Sequence, residues 1–126
     1  MRSMQTPLHK VQGMGSAHSG TGHFWRQRVS AVLLVPLSIW FSFAVLGLAG
    51  VSEASVLAFL AAPWNTILMA AFVVTLLYHL NLGLQVIMDD YVHAPGGKLL
   101  LLLAVRGLIL AVGAFSLFAI IRIASI

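Results

Sequence analysis

Residues 65–88 read NTILMAAFVVTLLYHLNLGLQVIM. The stretch contains no Asp, Glu, Lys or Arg, and its polar members, His79, Asn81 and Gln85 among them, stand singly between apolar ones. As a helix rising 1.5 Å per residue it is about 36 Å long, more than the roughly 30 Å hydrocarbon core of a bilayer. A soluble surface helix of that length presents a charged face opposite its apolar stripe; this one has no charged face. The stretch is therefore read as a membrane-spanning helix, and the rest of the chain is read around it.

Composition agrees. Of 126 residues, 60% are hydrophobic and 8% charged, and the mean hydropathy is +1.01. Soluble domains carry about 25% charged residues, so the solvent of this chain is a bilayer, and its length suits a single domain. There is no cysteine. That excludes disulfides, thiol catalysis, Cys-ligated iron–sulfur clusters and covalent c-type haem. The net charge of +4 does not mark a nucleic-acid binder, because the few basic residues flank apolar runs.

Two further apolar runs lie on either side, Val29–Leu48 with Pro36 inside it and Leu99–Ile123. Three transmembrane helices over about 29–48, 65–88 and 99–123 make an all-α membrane protein. Pro36 is expected to kink the first. Residues 49–64, with Glu53 and Pro63, read as a loop. In DDYVHAPGGK (89–98), Pro95-Gly96-Gly97 reads as a turn. Residues 1–22 read as a flexible, acid-free tail and 23–126 as the anchored domain. Arg2, Lys10, Arg26 and Arg28 precede the first span, the 49–64 loop has no Lys or Arg, and Lys98 lies in the second loop. The positive-inside bias places the N-terminus in the cytoplasm, or in a mitochondrial matrix. A bacterial inner membrane is the favoured location, with the mitochondrial inner membrane as the alternative.

The second span carries two polar stripes. At 100° per residue, Phe72, Thr75, Leu76, His79, Gly83, Val86 and Asp90 share one face, while Tyr78, Asn81, Gln85 and Asp89 form another. A helix with two such stripes is surrounded by protein, or by protein and cofactor, rather than by lipid. His79 lies roughly 14 Å from the cytoplasmic end of its helix, near the bilayer middle, where an ionisable residue is a functional candidate by default. Three readings stand there: a neutral imidazole bonded to a neighbouring helix, a haem ligand, and a proton carrier. Gly83, one turn further on, leaves room for a flat macrocycle, or for close helix packing. A six-coordinate haem needs a second axial ligand. No other histidine lies in a span, Met69 is a weaker candidate, and so the second ligand is expected from another subunit. Asn81 and Gln85 read as interhelical hydrogen-bonding residues, Arg106 as snorkelling to the interface, and Gly107 with Ala111 as a small-residue packing seam. Asp89, Asp90 and Tyr91 read either as an interfacial helix end or as a quinone site in which Tyr91 donates to a carbonyl and Asp90 relays protons. His93 is an interfacial contact or a proton carrier beside that site.

His79-x3-Gly83-x-Gln85 followed by Asp90-Tyr91-Val92 resembles the second transmembrane helix of the small D-type cytochrome b556 membrane anchors of succinate dehydrogenase. Gly22-His23-Phe24-Trp25-Arg26-Gln27-Arg28-Val29-Ser30-Ala31 is similar to the segment before the first helix of that family. The resemblance covers about residues 22–126. It implies one half of a two-subunit helical bundle, paired with a C-type cytochrome b556 anchor, holding a haem b between the two and docking the iron–sulfur and flavoprotein subunits. By position it implies His79 as an axial ligand of the haem iron, with Gly83 beside the macrocycle and Arg28 facing a propionate. Tyr91 and Asp90 become ubiquinone-site residues. The chain itself then catalyses nothing; it serves as a non-flavin subunit of the enzyme. The alternatives are an anchor of a fumarate reductase or another small b-type cytochrome, a membrane accessory protein with a proton path, and an assembly factor.

Overall fold

The computed structural model describes residues 4, 6–8 and 19–126. Four helices follow one another from residue 19: α1 (Ser19–Leu48), α2 (Glu53–Ala61), α3 (Pro63–Tyr91) and α4 (Pro95–Ala124). Among the described residues there is no strand. Three helices, within Thr21–Leu48, Pro63–Tyr91 and Pro95–Ala124, are long and apolar enough to cross a membrane.

Local chemistry sets the ends. α1 begins at Ser19, ten residues before its apolar run, so Ser19–Gly22, expected in the flexible tail, are helical. No proline interrupts GTGHFWRQR, and the Arg26 side chain donates to the Gly22 carbonyl at 3.2 Å. The helix continues through Pro36. It stops at Leu48, and Gly50 takes φ +79, a left-handed conformation that glycine adopts without steric cost. Arg2, Lys10, His9 and His18 lie outside the described residues.

The 49–64 segment is not a plain loop. Ser52 caps α2 by accepting from the Ser55 N–H at 3.2 Å, and Glu53 in the first turn complements the helix dipole. Ala62, held extended before Pro63, ends α2. Pro63 opens α3 at a position where its missing N–H costs nothing. Asn65 and Thr66 then donate back to the Phe59 and Leu60 carbonyls at 2.9 and 2.8 Å, satisfying the open end of α2. The same proline logic corrects the second loop. Pro95, Gly96 and Gly97 do not form a turn; Pro95 starts α4, and only residues 92–94 connect it to α3.

α3 is the central helix, packed against α1 and against α4, with α2 set against both α3 and α4. Phe41 of α1 stacks on Phe72 of α3 at 4.6 Å, and Trp40 stacks on Phe59 of α2 at 6.4 Å. Among the described residues the buried apolar ones, Phe72, Leu82 and Met88, all belong to α3. The glycine that seats α4 on α3 is Gly113, where an added Cβ would lie 3.3 Å from Leu77 Cδ1. Gly107 and Ala111 are exposed and seat nothing within this chain.

Candidate functional site

The two polar stripes of α3 meet different neighbours. The His79 stripe faces α1, and the Asn81–Gln85–Asp89 stripe faces α4. His79 is half-buried, and its Nδ1 lies 2.8 Å from Oγ of Ser30 on α1. Ser30 is 3% exposed and also donates to the Gln27 carbonyl at 2.9 Å. This contact joins residues 49 positions apart.

One turn along α3, Gly83 has open space where a side chain would be; an added Cβ meets nothing within 4 Å. Close packing within the chain therefore does not explain this glycine. It lines a groove of about 430 Å³ together with His23, Phe24, Gln27, Arg28 and Val86. Arg28 borders this groove with its guanidinium 5.1 Å from the Phe24 ring centroid. Nε2 of His23 and Oε1 of Gln27 are buried without a hydrogen-bond partner. A donor-capable ring and a carboxamide left unpaired beside a groove suit a ligand with polar substituents at this end.

Among the described residues no group of three or more His, Cys, Asp or Glu could hold a metal ion. An ion bound at His79 takes its other ligands from outside this side-chain set. The open space at Gly83, the unpaired groove atoms and the cationic Arg28 fit a flat, anion-bearing group.

On the α4 side, Gln85 Oε1 and Arg106 Nη2 are 3.5 Å apart, and both border a polar cavity of about 500 Å³ with His23, Arg26 and Asp89. Arg106 thus reaches toward the α3 polar stripe. Asn81 and Tyr78 line an adjoining apolar groove of about 490 Å³ that runs past Gly113 to Leu117. Asp89 pairs with Lys98 at 2.7 Å across the 92–94 connection.

Asp90 and Tyr91 close α3 on the surface, Tyr91 being 79% exposed, and His93 follows in the connection, also exposed. They are not brought to His79: twelve residues of helix separate Tyr91 from it by about 18 Å. The chain therefore offers two separate places, the Gly83 groove between α1 and α3 one turn from His79, and an exposed carboxylate–phenol pair at the end of α3. Ser30 and Lys98 were not singled out from sequence. The Ser30 signal was slight, a small hydroxyl at the start of an apolar run, while Lys98 could have been paired with Asp89 by the shortness of the loop.

The sequence model of the family described as succinate dehydrogenase/fumarate reductase transmembrane subunit matches residues 2–121. The succinate dehydrogenase hydrophobic membrane anchor subunit of Paracoccus denitrificans is 34% identical over 100 residues, 79% of this chain and 78% of its own length. The corresponding subunit of Rickettsia bellii is 34% identical over 97 residues, 77% of this chain and 78% of its own. The succinate dehydrogenase membrane anchor subunit of Reclinomonas americana is 33% identical over 91 residues, 70% and 76% respectively.

Proposed function

We propose, from the premise that the chain belongs to the succinate dehydrogenase/fumarate reductase transmembrane-subunit family, that it is the membrane anchor subunit of a succinate:quinone oxidoreductase. The family description covers both succinate dehydrogenase and fumarate reductase, and the relatives named above favour the first. The chain holds a flavoprotein and an iron–sulfur subunit at the membrane, pairs with a second, C-type anchor, and shares a haem b with it. Succinate is oxidised on the flavoprotein and not on this chain.

The observation that carries the haem assignment is the pairing of a mid-helix imidazole with unfilled space one turn away at Gly83. When bound, a haem b supplies one-electron storage between donor and acceptor. His79 would hold the iron. Gly83 would keep α3 clear of the ring. Arg28 faces a propionate, for which a guanidinium is suited by its paired N–H donors. Tyr91, exposed at the end of α3, donates its phenol hydrogen to a quinone carbonyl, and Asp90 beside it hands on a proton. Arg26 and Arg28 precede the apolar run of α1, and Lys98 lies in the first turn of α4; this positive bias supports an N-terminus in the cytoplasm of a bacterial inner membrane or in a matrix.

The test is purification of the tagged chain from its native membranes under mild detergent. The expected preparation oxidises succinate, contains flavin, and shows a b-type reduced-minus-oxidised spectrum. A well-assembled preparation with succinate oxidation and no haem would leave the anchor and remove the cytochrome. A preparation without succinate oxidation would remove both.

A further inference from the structure

Ser30 is the buried polar side chain among the described residues, at 3% exposure, and both its contacts are short. Its Oγ lies 2.9 Å from the Gln27 carbonyl oxygen and 2.8 Å from His79 Nδ1. A hydroxyl has one proton to give and a carbonyl oxygen can only accept. The Ser30 proton therefore goes to Gln27. The contact with His79 must then run the other way, from Nδ1–H to Oγ. The reverse arrangement would give the proton to Nδ1 and set hydroxyl lone pairs against the Gln27 carbonyl at 2.9 Å in a buried place, which is costly.

We infer that Ser30 is a positioning residue for His79: it accepts the Nδ1 proton, fixes the Nδ1-protonated tautomer, and leaves the Nε2 lone pair for a Lewis acid. The inference rests on the proposal that His79 ligates haem iron. A ligating histidine whose other ring N–H is held by an acceptor is oriented and made more basic. A more basic ligand favours the ferric state. Ser30 thus sets both the direction of the imidazole and the potential of the iron it holds, without touching either iron or macrocycle. Gln27 completes the relay through its backbone carbonyl, so this arm persists whatever side chain stands at position 27.

The experiment uses the intact complex purified from membranes, carrying Ser30→Ala, Ser30→Thr or His79→Ala. Haem per flavin, the low-spin haem EPR signal and the midpoint potential are read for each. Ser30→Ala is expected to keep haem, to shift the EPR signal, and to lose about tenfold in ferric over ferrous preference. For a one-electron couple that raises the potential by about 59 mV. Ser30→Thr, which keeps the hydroxyl, is expected to restore both values. Where Ser30→Ala does not assemble, Ser30→Cys, a weaker acceptor, is titrated in its place and should also lie above the parent potential. If His79→Ala loses haem while Ser30→Ala or Ser30→Cys leaves the EPR signal and potential unchanged, the role of Ser30 is overturned and the ligand assignment stands. If His79→Ala keeps its haem signal, the ligand assignment falls and the role of Ser30 with it.

Discussion

A single imidazole in an apolar helix has few ways to satisfy both its nitrogens. His79 was legible in the sequence because every neighbour makes it conspicuous, and Gly83 was legible by its spacing from it. Ser30 was not, because a serine within a helix most often bonds back to its own backbone. Here it does that and also accepts from a residue 49 positions away. Only the packing of α1 on α3 reveals the second contact. At this scale, Gly83→Ala is expected to assemble but to lose haem, since an added Cβ meets nothing within 4 Å in the chain itself; haem-to-flavin ratio checks it, and an unchanged ratio removes Gly83 from the site. Tyr91→Phe deletes one donor at the exposed end of α3. It should slow quinone reduction about tenfold, while succinate oxidation with an artificial acceptor holds, consistent with a charge-free hydrogen bond worth about 1 kcal/mol or slightly more. Equal loss in both assays would deny Tyr91 a special place at the quinone.

Helix ends, unlike helix existence, depended on side-chain chemistry that a hydropathy pattern does not see. The three spans follow from apolar length alone. Their extensions do not: α1 gains its first turns from residues 19–28, and α4 takes in Pro95, Gly96 and Gly97, which look like breakers until Pro95 is placed at the helix start. In the sequence, Gly107 and Ala111 read as a packing seam without a named partner; within the chain the close approach of α3 and α4 is at Gly113, because the small-residue pattern recurs along α4 and only the partner decides which copy is used. Gly113→Leu should therefore push Leu77 aside and destabilise the assembled complex by about 1–3 kcal/mol, the usual cost of overpacking, seen as a lowered Tm. Lys98→Ala should behave differently. The Lys98–Asp89 pair is short, but its side chains are 37% and 51% exposed, and such pairs contribute about 1 kcal/mol or less. Its Tm should stay close to the parent value.

The whole chain buries very little of itself. α4 has no buried residue, and large apolar side chains such as Phe43, Phe115 and Phe118 lie exposed along α1 and α4. A bilayer can cover part of that surface. It would not supply the second subunit on which the proposed haem site rests: α3 would contribute His79, while His23, expected outside the spans, stands within the apolar helix Thr21–Leu48 and lines the Gly83 groove. The prediction at this scale is that the chain expressed alone inserts into membranes and binds haem poorly, and that co-expression with a second anchor restores a six-coordinate spectrum. Stable six-coordinate haem in the isolated chain would contradict a shared site. The partner surface itself was beyond the reach of sequence, since an apolar face turned to lipid and one turned to another apolar helix have the same composition.

The most direct measurement is the reduced-minus-oxidised spectrum of the purified complex carrying His79→Ala, taken beside its succinate oxidation with an artificial acceptor. The b-type haem band is expected to vanish or to shift to an altered coordination while that oxidation continues, showing an assembled enzyme that has lost one axial ligand. An unchanged band at the parent haem-to-flavin ratio would mean that His79 holds no iron.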